Sequence, residues 1–93
     1  MDDFKIIITV SGSDKVGIVS SISTVLAKYK VNIEDIKQTL MQGHFVMFML
    51  CSVTKLNKSF KDFQTLLKDE CNKMDMEVWV QRKEIFDCMH NIG

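Results

Sequence analysis

The sequence predicts an α+β fold of order β-α-β-β-α-β, with a four-stranded antiparallel sheet, two helices on one face and a short C-terminal helix. Three observations carry this. Ile18, Ile22, Val25, Leu26 and Tyr29 recur at helical spacing, and so do Phe60, Phe63, Leu66, Leu67, Cys71 and Met74. Each stripe is flanked by runs rich in β-branched and aromatic residues. Between the stripes, VNIEDIKQTLM and HFVMFMLCSV are parted only by Gln42-Gly43, the mark of a hairpin.

Phe4 to Val10 (FKIIITV) reads as the first strand, and the first helix runs from about Val16 to Lys30. Ser13 or Asp14 is placed to cap that helix. The second strand begins at Val31-Asn32-Ile33, and its polar content marks an edge with one wet face. In the third, Phe45, Met47 and Met49 share one face, while Val46, Phe48 and Leu50 share the other. Ser59-Phe60-Lys61-Asp62 has the form of a capping box before the second helix, with Asp for the usual Glu. Met76 to Lys83 is the fourth strand and Glu84 to His90 a terminal helix, with Ile85, Phe86 and Met89 on its apolar side. The two most apolar strands, first and third, belong in the centre, which gives the ferredoxin-like sandwich. The face away from the two main helices is then apolar on strand three; such a patch signals a partner, and the terminal helix is placed to cover some of it. A homodimer is expected.

At 93 residues the chain is expected to form a single domain, residues 1–93. Its 46% apolar and 26% charged residues suit a globular chain. The net charge of zero argues against a nucleic-acid surface. Gly43-His44-Phe45-Val46-Met47-Phe48 imitates part of a base-stacking strand. Gln42 replaces its leading basic residue, however, and IIITVS offers no matching aromatic. No run reaches membrane-spanning length, and MDDFK lacks a basic leader. Cys51, Cys71 and Cys88, odd in number and widely spaced, suit reduced thiols in a cytoplasm. Neither nucleic-acid nor membrane partners are expected.

The stretch best suited to chemistry is VSGSDKVGIVSSISTVLAKYKVNI, from Val10 to Ile33. Gly17 stands in the first turn of the helix, where a missing side chain lets an anion approach unpaired N–H groups. The plainer reading is a connection that needs Gly17 only for close helix–sheet packing. In the functional reading, backbone N–H groups meet a carboxylate and Asp14 meets an ammonium, with Lys15 the only nearby cation. Asn32 adds an amide that both donates and accepts. It is expected near the first turn of the helix, either its own or that of a neighbour in a dimer.

The run DKVGIVSSISTVLAKYKVNI resembles the signature of ACT domains, and the likeness extends to Gln38 and the tail VQRKEIFDCMHNI. The tail is similar to that of stand-alone ACT proteins, themselves similar to the ACT domains of the glycine-cleavage repressor. The resemblance implies a dimer that binds an amino acid between subunits, at Asp14, Lys15, Val16, Gly17, Ile18 and Asn32. Val16 stands where many ligand-binding members carry Pro. It further implies regulation of a separate enzyme or transcription regulator. No cofactor, metal site or catalytic residue is expected: there is no nucleophile elbow, paired-carboxylate signature or Cys/His ligand pair. The chain is therefore read as a non-enzyme.

Overall fold

The computed structural model describes residues 4–13, 16–53 and 60–90, the last without the side chains of 86, 89 and 90. Its elements are β1 (Phe4–Ser13), α1 (Ile18–Lys28), β2 (Val31–Met41), β3 (His44–Val53), α2 (Phe60–Lys73), β4 (Met76–Arg82) and α3 (Lys83–His90). The sheet order is β2-β3-β1-β4, every pair antiparallel, so the two most apolar strands are central as expected.

Strand alternation builds the core. Ile6, Ile8 and Val10 of β1 pair with Cys51, Met49 and Met47 of β3, and all six are buried under the helices. Ile18, Ile22, Val25 and Leu26 bury one stripe of α1, and Phe63, Leu67 and Cys71 one stripe of α2. Each large aliphatic removed from water contributes about 1.5–3 kcal/mol. Tyr29 and Phe63 join the helices edge to face, ring centroids 5.6 Å apart. α1 packs toward β2 and α2 toward β4.

The boundaries depart from expectation in ways that matter for the site. β1 runs on through Ser13, which pairs with His44, so Ser13 belongs to the sheet and does not cap α1. The strand can continue because Gly12 lets it pass Met76; a Cβ there would stand 2.6 Å from Met76 Sδ. α1 begins at Ile18, two residues later than expected, with Gly17 as its N-cap in place of Ser13 or Asp14. The expected cap Ser59, like Asp14 and Lys15, lies outside the described residues, as do the side chains of Phe86 and Met89. β4 ends at Arg82 and α3 takes Lys83. There Arg82 Nη1 pairs with Glu84 Oε1 at 3.2 Å, while the guanidinium carbon lies 4.3 Å from the Phe4 ring centre.

Gln42 and Gly43 both have positive φ, 51° and 81°, the pattern of a two-residue type I′ hairpin. β2 shifts register between Ile33 and Asp35, which leaves Glu34 at a bulge. The molecule is 19 Å in its thinnest dimension, α3 touches β1 and β4, and Phe48 and Trp79 on the sheet face away from α1 and α2 are partly exposed.

Candidate functional site

Gly17 takes φ 88°, a left-handed conformation that costs an L-residue energy and glycine none. A Cβ built on it would meet nothing within 4 Å. Close helix–sheet packing is therefore not the reason for this glycine; backbone conformation is. Val16 beside it is fully exposed, while Ile18 is buried and anchors the helix start. The first helical bond, from Ser21 N–H to the Gly17 carbonyl, leaves the N–H groups of Ile18, Val19 and Ser20 without partners along the helix. No side chain caps them among the described residues, and no acid lies in the first turn. The positive end of the α1 dipole thus faces outward beside a residue with no side chain, an arrangement that favours an anion.

Asn32 is exposed near the start of β2, opposite Ser52. It alternates with Val31 and Ile33, which turn toward the core. The structure does not bring Asn32 to Gly17 of its own chain. All of α1 separates them, about 16 Å at 1.5 Å per residue, because Tyr29 closes the helix just before β2 begins. Gly17 follows the end of the sheet where Ser13, His44 and Met41 form one row, and Asn32 lies at the other end. Of the two placements the sequence leaves open, the own-subunit one is ruled out by this geometry. Val16, Gly17 and Ile18 stand together, and Asn32 stands apart.

Two polar arrangements escape sequence reasoning because strand register creates them. Ser11 Oγ and His44 Nε2 are 2.9 Å apart on the open face. Ser11 is half-buried and His44 exposed, and no acidic group orients the imidazole among the described residues, so the pair lacks the third member of a hydrolytic triad. Lys5 Nζ donates to Glu34 Oε1 at 2.9 Å, from β1 over β3 to the bulge of β2. This bond, with one from Ser52, holds the Glu34 carboxyl below its usual range. The thiols divide by environment: burial pushes Cys51 up to about 12 and Cys71 up to about 11, while Cys88 is exposed. Among the described residues no group of three or more His, Cys, Asp or Glu side chains gathers as a metal site. Among the described residues no helix is long and apolar enough to cross a membrane.

Comparison with known proteins gives a consistent answer. A family model described as ACT domain matches residues 5–81. A UPF0237 protein of Methanosarcina acetivorans is 48% identical over 92 residues, 99% of this chain and 100% of the relative. Among solved structures, an ACT domain protein from Streptococcus pneumoniae superposes with a TM-score of 0.78 at 29% identity, over 92% of this chain and 97% of that one. A protein assigned as a glycine cleavage system transcriptional repressor gives a TM-score of 0.75 at 21% identity. The match spans 86% of this chain and 46% of that one, a likeness of fold.

Proposed function

The chain belongs to the ACT domain family, and on that premise we propose that all 93 residues form one regulatory module that binds a small amino acid between two copies. The observation that carries this reading is the distance between Gly17 and Asn32. One chain holds an open helix N-terminus at one end of α1 and a free amide at the other, so a ligand that touches both must bridge subunits. The outer edge of β2 supplies the means. Antiparallel pairing of two such edges about Ile36, the middle of Val31–Met41, sets Asn32 beside the partner's Leu40 and next to Met41. Met41 heads the row from which the partner chain turns into α1. Helix α1 packs on the β2 side of its layer, so its N-terminus lies toward this seam.

In this arrangement the amides of Ile18, Val19 and Ser20 receive the carboxylate of the ligand. The Asp14 carboxylate receives its ammonium, Asn32 of the second copy closes the site, and Lys15 and Val16 belong to the same binding set. Binding stabilises the paired state, and a separate enzyme or transcription regulator reads that state. The chemistry belongs to that partner, and this chain is not itself an enzyme. A net charge of zero and unpaired thiols support a cytoplasmic setting.

A thermal-shift panel of the twenty amino acids tests the proposal. An effector present at one hundred times its dissociation constant adds about 2.7 kcal/mol of stability. If no amino acid shifts the transition, the effector reading falls, and an interaction module without a ligand takes its place.

A further inference from the structure

We propose that the outer edge of β4 is a docking strip, to which an extended segment of the target protein adds as a further strand. The inference takes from the reading above that a separate protein is the target. β4 ends the sheet on the side opposite β2, so a dimer paired through β2 leaves it outside the seam. Val78 and Val80 turn their side chains toward the core, and Glu77 and Trp79 alternate with them on the other face. Helix α2 lays Gln64, Lys68 and Asn72 along this edge at successive turns, each next to a buried residue of its apolar stripe (Phe63, Leu67 and Cys71).

Gln64 shows what that row can do. Its Nε2 donates to the Val80 carbonyl at 3.3 Å, which puts that carbonyl on the outer side of the strand. Backbone groups two residues apart point the same way, so the N–H and carbonyl of Val78 face outward as well. Beside them lies a cavity of about 240 Å³ lined by Lys68, Asn72, Glu77, Val78 and Trp79. Lys68 and Glu77 are exposed, and neither is in an ion pair among the described residues, whereas Lys5, Lys73, Arg82 and Lys83 each have one. Trp79 is 50% exposed. Strand addition needs this combination: edge backbone groups for the main chain, and side chains above and below to read the residues that alternate along it.

Charge complementarity selects the occupant. Successive side chains of an added strand point to opposite faces. One side meets Lys68 and Asn72 and calls for an acid. The other meets Glu77 and the Trp79 indole and calls for a lysine or arginine, held by the carboxylate and the ring. The recognised segment is therefore extended, with an acidic and a basic residue adjacent in sequence. A second copy of β4 does not supply this. The side chains it would bring beside Lys68 are Met76, Val78 and Val80, which offer no acid, and its own Val80 carbonyl is held by Gln64.

The chain has one tryptophan, so Trp79 fluorescence reports on the strip directly. The probe is a short capped peptide of threonine and serine around one glutamate–lysine pair, titrated to millimolar concentration. A saturable change in emission is expected, lost when every backbone amide of the peptide is N-methylated. Lys68→Glu is expected to weaken binding about tenfold or more. Val78→Pro, which removes an outward N–H at a position where an edge strand tolerates proline, is expected to abolish it. Lys68→Glu, on an exposed helix position, keeps the test standing should Val78→Pro not fold. No response from the wild type, or binding undiminished by N-methylation or by Lys68→Glu, overturns the inference. A covalent dimer of Val78→Cys, made with Cys88→Ser, would then give the edge to a second copy. The amino-acid thermal shift is read on the same proteins. Its absence with the peptide response intact sinks the effector reading alone, and the reverse result sinks only the docking strip.

Discussion

Gly17 and Asn32 stand at opposite ends of α1 in one subunit, about 16 Å apart along the helix, and each faces solvent. If a shared site joins them across a dimer, it must complement in trans. Gly17→Asn keeps the left-handed turn, which Asn tolerates, and places a side chain over the amides. Asn32→Ala removes the amide. Each variant alone is expected to lose the thermal response to the effector. Mixed, unfolded and refolded together, they form some dimers with one intact site, and part of the response returns. A mixture as silent as each variant alone, or a variant that still responds by itself, would remove the shared site.

The β2 edge makes a second prediction. A residue on the two-fold axis of an antiparallel pair faces its own copy at a Cα separation of about 4.5–5.5 Å, within disulfide range. Ile36→Cys, made with Cys88→Ser so that no exposed native thiol competes, is expected to give a covalent dimer under mild oxidation. Thr39→Cys in the same background, off the axis, is expected to give little. Equal crosslinking at both positions, or none at Ile36, removes β2 from the interface.

The glycines separate two physical causes of instability. Gly17→Ala forces a Cβ into a left-handed φ with open space around it, a cost of about 1–2 kcal/mol that Gly17→Asn should largely recover. Gly12→Ala drives a Cβ toward Met76 Sδ at 2.6 Å and the Asp75 carbonyl at 3.1 Å, overpacking that costs about 1–3 kcal/mol. Gly12→Asn is expected to be worse still. Urea denaturation of the four variants measures this directly.

The buried thiols predict both reactivity and pH dependence. In the native protein a thiol reagent is expected to modify Cys88 quickly, and Cys51 and Cys71 only on unfolding. Burial raises the folded values, to about 12 for Cys51 and about 11 for Cys71, above those of an unfolded chain. The unfolded state therefore gives up these protons first. Their stabilisation is complete below the unfolded value, about 8.5, and is lost as pH rises toward the folded ones. Cys51→Ala with Cys71→Ala should flatten the alkaline fall in unfolding free energy; an unchanged slope would assign it to other groups.

Local patterns made the architecture legible. The stripe from Ile18 to Tyr29, the alternation along His44–Val53 and the Gln42-Gly43 turn each report on a few neighbouring residues, and the topology follows from their order. The start of α1 was less legible. Ser13 has the chemistry of a cap, but its backbone is drawn into pairing with His44, thirty-one positions later in the chain, and Gly17 ends up as the N-cap.

By itself the sequence determined the βαββαβ order, the apolar set that fills the core and the glycine turn on which a ligand site can be built. Periodicity and turn chemistry act over a few residues, so they can be read from one chain. Only the tertiary structure decided that Asn32 lies away from Gly17, that Lys5 reaches Glu34 over β3, and that Phe48 and Trp79 share the sheet face away from α1 and α2. Those relations depend on strand register and on the direction in which α1 crosses the sheet, and both are set by packing between segments distant in sequence.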